Sequence, residues 1–145
     1  MSVDPRTLGW LTRALTHEMS AVQQYLAQSV LARLWGDEAL AKHLRNEASE
    51  ELEHAERLME RLILLGVAPS AGTLPPVRLG RSVQDLLAAD RVLEVDAVRL
   101  YQEASAHAQR MRDPDTAALL DSILGEELAH VHELDGMMNR QEEHG

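Results

Sequence analysis

The chain of 145 residues contains no cysteine and no phenylalanine, and its aromatic side chains are limited to two tryptophans and two tyrosines. Without cysteine, the protein has no disulfide, no thiolate metal site and no iron–sulfur cluster. Leucine and alanine dominate instead, a composition that favours helices and is poor in strand formers. The sequence therefore predicts an all-α protein, and the lack of cysteine fits a reducing compartment.

Long apolar runs are also missing. No stretch approaches the ~20 consecutive apolar residues that span a bilayer, and the N-terminal MSVDPRTLGW lacks the apolar core of a secretory signal. The net charge of −10 disfavours nucleic acids and anionic membranes as partners. It is compatible with attracting cations, and it also serves solubility. We expect a cytoplasmic protein with one domain over residues 1–145.

Two short motifs, EELEH at residues 50–54 and EELAH at residues 126–130, each place a Glu and a His three residues apart. On a helix, residues at this spacing share a face. Both motifs lie within apolar stripes, where an unpaired carboxylate is costly to bury. The motifs therefore predict a metal site.

A second pair of glutamates precedes the motifs at a fixed interval. Glu18 lies 33 residues before Glu51 (51 − 18), and Glu94 lies 33 before Glu127 (127 − 94), so the two halves are related by a shift of 76. The flanking core seams match at five positions: Glu18, Val22, Tyr25, Ser29 and Ala32 against Glu94, Val98, Tyr101, Ser105 and Ala108. Successive residues of each seam lie four or three positions apart, which is the spacing of side chains along one face of a helix. We infer an internal duplication of a helical hairpin.

Cap and turn signals divide the chain into four helices. The predicted helices run from Pro5 to about Trp35, from Asp37 to Leu65, from Ser82 to Met111 and from Pro114 to about Gln141. Residues 66–81 contain three of the five prolines and predict a long crossover between the second and third helices. A flexible linker between separate hairpins is disfavoured, because each hairpin alone would expose its apolar stripe.

The duplicated motifs predict one di-metal centre. Bundles that carry a Glu on two helices and Glu-x-x-His on the other two hold paired iron or manganese ions. The six predicted ligands are Glu18, Glu51, His54, Glu94, Glu127 and His130. Four carboxylates in one buried layer repel each other, and two divalent ions would balance them while the imidazoles bind neutral. Glu51 and Glu127 are expected to bridge the ions, with Glu18 and Glu94 each capping one ion.

Other polar residues have less distinctive patterns. Tyr25 and Tyr101 lie two turns beyond Glu18 and Glu94, which favours core packing with the hydroxyl bonded to a ligand carboxylate; electron donation by one tyrosine is the alternative. The solvated helix faces are expected to carry Glu50, Glu53 and Glu126. The histidines that fall off the ligand register are His17, His43, His107, His132 and His144.

The chain resembles the bacterioferritins over nearly its whole length. The resemblance is carried by QQYLAQ around Tyr25, EELEHAERLMERLILLG, VLEVDAVRLYQEA and EELAHVHEL. It implies a ferritin-like antiparallel four-helix bundle, a di-iron centre on the same six residues, and a ferroxidase that oxidises Fe(II) with O2 or peroxide. It also implies a homo-oligomer, from dimers up to a hollow 24-subunit cage that stores ferric mineral, and a ferredoxin-type reductant. Tyr25 matches a family tyrosine beside the centre.

Three positions depart from the family pattern. Leu52 stands where the family has its haem-ligating Met, and Met59 is displaced by about 10 Å along the helix, so no haem is expected by the usual ligation. Asn46 replaces an inner-surface His of some members, although Glu50 remains acidic. The chain ends at Gly145, so a fifth C-terminal helix is not expected.

Three functions remain open at this point. Iron oxidation for storage or detoxification is the leading prediction. The first alternative is a non-cage di-iron or di-manganese oxidase that acts on an organic substrate at the same centre. The second alternative is a structural bundle with a buried polar layer and no metal. The sequence shows no extra domain or apolar cavity wall for an organic substrate, which favours iron oxidation.

Overall fold

The computed structural model describes residues 3–144, which form four α-helices and, within that range, no strand. The helices are α1 (Pro5–Leu34), α2 (Glu38–Leu64), α3 (Val83–Arg110) and α4 (Pro114–His144). They confirm the all-α prediction, and α4 extends three residues past its predicted end. No further helix follows α4 in this part of the chain. The prediction for the side chain of His144 lies outside the described residues.

None of the four helices combines the length and the hydropathy that a membrane-spanning segment requires, over the residues described.

The starts of α1 and α3 follow their cap signals. Asp4 caps α1, since the Thr7 amide donates to Asp4 Oδ2 at 3.0 Å, and Pro5 occupies the first helical position. At α3 the Asp85 amide donates to Ser82 Oγ at 3.1 Å. The Asp85 carboxylate accepts in return from the backbone amide before the cap, at 3.2 Å. Ser82 and Asp85 thus bond reciprocally at the start of α3, in a variant of the capping box that engages the amide one residue before the N-cap.

The turns of the two hairpins share their hydrogen bonds although their sequences differ. The Asp37 amide donates to Ala32 O at 2.9 Å, and the equivalent bond from Asp113 measures 3.0 Å. Each turn passes through one left-handed residue, Gly36 with φ 84° in the first and Arg112 with φ 56° in the second. The duplication predicted from the helix seams thus extends to the backbone of the connections.

The described chain divides between Leu79 and Gly80 into two compact units. The first unit holds the antiparallel pair α1 and α2 with the crossover, and the second holds the antiparallel pair α3 and α4. The predicted seam residues are buried except Val22 and Val98, which are half-buried in both copies. The largest buried side chains are leucines and tyrosines, among them Leu15, Tyr25, Leu58, Leu86, Tyr101 and Leu120. That all 145 residues form one domain stays a prediction.

The crossover is an ordered segment that lies along α1. Residues 67–80 form neither helix nor strand. Its backbone is held by α1 side chains: Thr16 Oγ1 donates to Ala71 O at 2.6 Å, Gln23 Nε2 to Pro75 O at 3.2 Å and Gln24 Nε2 to Arg78 O at 2.7 Å. The Arg78 amide donates back to Gln24 Oε1 at 3.0 Å. The contacts advance together along both segments, so the crossover runs in the direction of α1.

Candidate metal centre

The first unit brings together three of the six predicted ligands. The α1–α2 turn lies midway between Glu18 and Glu51, so the hairpin places these carboxylates level, and His54 follows Glu51 on the same face. His54 Nδ1 lies 3.4 Å from Glu18 Oε2 and 3.8 Å from Glu51 Oε2. All three side chains are buried, and their ligand atoms lie within 4.8 Å of one another.

The second unit repeats the arrangement with the other three ligands. His130 Nδ1 lies 3.6 Å from Glu94 Oε2 and 3.4 Å from Glu127 Oε1. Glu94 comes from α3, and Glu127 and His130 come from α4, the counterparts of α1 and α2. All three side chains are buried. Each hairpin therefore carries one buried Glu–Glu–His triad of the same geometry.

The distances within each triad suit a shared cation. Two metal bonds of about 2.1 Å, separated by a tetrahedral or wider angle, place their donor atoms about 3.4–3.8 Å apart. All four separations between histidine nitrogen and carboxylate oxygen lie between 3.4 and 3.8 Å, beyond the usual hydrogen-bond range of about 2.7–3.2 Å. One imidazole and two carboxylates form a donor set that iron and manganese accept. Each triad thus fits one divalent cation.

The electrostatics of the second triad favour a bound cation. Burial and the neighbouring Glu127 together raise the pKa of Glu94 to about 8, against the opposing effect of His130. Glu94 therefore holds a proton at neutral pH when no metal is present. A divalent cation would replace that proton, so metal binding and proton release are coupled at this carboxylate.

The remaining sequence predictions divide by burial. Glu50, Glu53 and Glu126 are exposed, as predicted for solvated helix faces. Tyr25 and Tyr101 are buried in the core, and the predicted bond from a tyrosine hydroxyl to a ligand carboxylate stays a prediction.

Sequence reasoning missed one pair of residues on α2. His43 Nε2 lies 3.8 Å from Glu47 Oε1, and Glu47 is buried. Neither residue belongs to the duplicated ligand pattern, so the repeated Glu and Glu-x-x-His spacing did not select them. A comparison of the two copies would have found the pair, because the residue 76 positions after Glu47 is the apolar Ile123.

Duplicated hairpins with a buried Glu–Glu–His triad in each define a ferritin-like carboxylate protein. A family described as Ferritin-like domain matches residues 10–143. Among characterised relatives, the bacterioferritin of Brucella melitensis is 33% identical over 96% of this chain and 86% of its own length. The bacterioferritin of Streptomyces coelicolor is 32% identical over 100% of this chain and 87% of its own. The chain therefore belongs to the bacterioferritin family.

A solved structure supports the same fold. The bacterioferritin of Rhodobacter capsulatus, with a metal-free dinuclear site and a haem iron in a crystallographic special position, is 30% identical to this chain. The likeness covers 100% of this chain and 91% of that one, with a TM-score of 0.96. The predicted ferritin-like four-helix bundle with a long crossover is therefore confirmed.

Proposed function

We propose that this protein is a ferroxidase of bacterioferritin type, which oxidises Fe(II) with O2 or peroxide for iron storage or detoxification. The observation that carries the proposal is the buried Glu–Glu–His triad in each of two duplicated hairpins. Membership of the bacterioferritin family supports it. The two triads together are proposed to hold two iron ions per subunit, and manganese is the alternative metal.

The charge of the triads supports this assignment. Each triad contributes two carboxylates and one imidazole, so one divalent ion per triad balances the buried negative charge. Glu51 and Glu127 are proposed to bridge the ions, because they share their helices with the ligand histidines. Glu18 and Glu94 then bind one ion each from the paired helices, and His54 and His130 complete the ligand set.

The residues of the chain bind, orient and exchange protons around the substrate ions. When bound, two Fe(II) ions supply the two electrons that, with two protons, convert O2 into hydrogen peroxide and leave two Fe(III) ions. The buried position of the ligands excludes bulk water, which strengthens their interaction with the cations. Glu94 releases its proton when a cation arrives, because its pKa of about 8 belongs to the metal-free triad.

Assembly and haem content complete the proposal. Three exposed apolar residues, Leu26, Val30 and Leu34, follow one another at intervals of four on α1, and such a row favours contact with another protein surface. Together with the family membership, the row supports a homo-oligomer, from dimers to a cage, with a ferredoxin-type protein as the reductant for iron release. Leu52 has no sulfur donor, so no haem is proposed by the usual ligation. Cytoplasmic location stays a prediction.

The test is to add Fe(II) in air in increments beyond two ions per subunit and to follow oxidation together with native mass. Continued oxidation that yields a soluble ferric mineral in a large particle supports storage. Oxidation that stops at two ions in a small particle would instead indicate the non-cage oxidase acting on another substrate. Oxidation no faster than in buffer would leave only the structural bundle.

A further inference from the structure

The first unit carries a line of metal-ligand side chains along α2. His43, Glu47 and Glu51 follow one another at intervals of four, so they share one helix face, about 6 Å apart along the axis at each step. His43 Nε2 lies 3.8 Å from Glu47 Oε1. Glu47 and Glu51 offer carboxylate oxygens within 4.8 Å of each other. The line therefore ends at the buried triad, since Glu51 belongs to both.

Exposure to solvent falls steadily along the line. The side chain of His43 is 26% exposed, that of Glu47 is 10% exposed, and that of Glu51 is fully buried. A cation that reaches His43 from solvent thus meets a second ligand one turn further in, and then a ligand of the triad. Each ligand lies close enough to the next for a cation to move between them without leaving all of them.

The internal duplication shows that the fold does not need this line. The residues 76 positions later are Leu119 for His43 and Ile123 for Glu47. Ile123 is fully buried in its hairpin, so an apolar side chain suits the position. A carboxylate there costs free energy of desolvation that an isoleucine does not. Packing therefore leaves His43 and Glu47 unexplained, whereas a cation ligand role explains both residue types and their spacing.

We propose that His43 and Glu47 bind a third divalent cation, an Fe(II) ion on its way to Glu51. The proposal rests on the ferroxidase function proposed above and names the route by which its substrate reaches one triad. One imidazole and one carboxylate suit Fe(II), and water fills the remaining coordination positions. Two protein ligands from one helix hold a cation loosely, which suits transfer. The ion stays Fe(II) at this site, so the step moves no electrons.

The experiment equilibrates the full-length protein with Mn(II) or Co(II) in the absence of oxygen. Metal analysis then counts the bound ions, and anomalous diffraction from crystals grown with the same ion locates them. Two variants carry the residues of the second copy, His43→Leu and Glu47→Ile. Glu47→Gln keeps the size of the side chain in case the apolar variant does not fold. Glu53→Gln is the control, because it removes one negative charge from an exposed position of the same helix.

The parent and the Glu53→Gln control should bind three ions per subunit, with one anomalous peak between His43 Nε2 and Glu47 Oε1. Each site variant should bind two, and its half-saturating Fe(II) concentration for oxidation should rise about tenfold. Three ions retained in the variants, or no peak in the parent, would overturn the proposal. Lower thermal stability with unchanged metal content would identify a structural ion pair instead. Failure of the proposed ferroxidase function can be told apart from failure of this proposal, because the parent would then lack the two ions at the triads.

Discussion

The two hairpins agree at the metal ligands, the turns and the helix seams, and they differ at several other buried positions. Both place an imidazole nitrogen 3.4–3.8 Å from two carboxylates, and both close their turns with the same backbone bonds. The first hairpin buries Gln28 and Glu47 where the second has Ala104 and Ile123. The second buries Asp90 where the first has Ala14.

The difference teaches which features the duplicated hairpin needs. Residues shared by both copies form the triads and the seams that pack beside them, so a change in either copy should have similar effects. Residues present in one copy alone are not required by the packing of a hairpin. Four predictions use this distinction, in order of decreasing effect.

The largest effect is expected at the proposed bridging ligands. Glu51→Ala and Glu127→Ala should each reduce the initial rate of Fe(II) oxidation by at least about 100-fold, since each removes a direct metal ligand. Stopped-flow absorbance of the ferric product measures the rate. Glu53→Ala and Glu126→Ala are the controls, because both are exposed glutamates close to the bridging ligands on α2 and α4. Equal reductions in rate in the two variants would confirm that the triads are equivalent. A variant that oxidises Fe(II) at the parent rate would contradict the bridging role of the glutamate it lacks.

The stability of the metal-free protein should depend on pH through Glu94. Its pKa is raised to about 8 in the folded state from 4.5, so between these values the folded protein binds more protons than the unfolded chain. Stability should therefore fall as pH rises from about 4.5 to 8, by on the order of a few kcal/mol. Urea unfolding at several pH values measures the trend.

Glu94→Gln is the control for this trend, because it keeps the shape and removes the titration. The slope of stability against pH should flatten in the variant, and Mn(II) should flatten it in the parent. A metal-free parent whose stability rises over the same pH interval would contradict the assignment.

The third prediction concerns the stability effect of Gln28, a polar residue that is buried in the first hairpin and replaced by Ala104 in the second. It is fully buried, and neither amide atom has a hydrogen-bond partner among residues 3–144. Gln28→Met keeps the volume and removes the buried amide, so it should raise the free energy of unfolding by about 1–2 kcal/mol. Thermal denaturation measures the change. Gln24→Met should destabilise, since Gln24 bonds the crossover at Arg78. A destabilised Gln28→Met would show that a buried water satisfies the amide.

The smallest effect is expected at the turn of the second hairpin. Arg112 has φ 56°, a left-handed conformation that the first hairpin gives to Gly36. Arg112→Gly should stabilise by about 0.5–1 kcal/mol, because relief of left-handed strain exceeds the added entropy of glycine in the unfolded chain. Chemical denaturation measures the difference. Gly36→Arg is the reciprocal change and should destabilise. If Arg112→Gly lowers stability, a contact of the arginine side chain outweighs the backbone strain.

Much of the fold was predictable because its signals are local and repeated. Asp4, Asp37 and Asp113 marked helix starts that the structure reproduces within a residue. The Glu and Glu-x-x-His spacing selected the residues of both triads, since the helix period fixes which side chains share a face. The resemblance to bacterioferritins agreed with that selection.

The rest could not be read from periodicity. The crossover follows α1 through bonds from Thr16, Gln23 and Gln24 to backbone carbonyls, and such bonds leave no regular pattern in the loop sequence. His43 and Glu47 lie outside the duplicated ligand register, so only their absence from the second copy distinguishes them. The end of α4 was placed three residues early because the polar residues after Gln141 do not continue the apolar stripe that marks the rest of the helix.

The attachment of the crossover to α1 constrains how this part of the chain can vary. The helix side chains recognise three main-chain carbonyls, which every amino acid presents, and the Arg78 amide, which any residue except proline supplies. Substitutions between Ala71 and Arg78 can therefore accumulate while the path of the polypeptide is preserved. The positions that must be kept are the side chains on α1 that bond the crossover. Sequence differences between homologues should therefore concentrate in the crossover and spare these α1 residues.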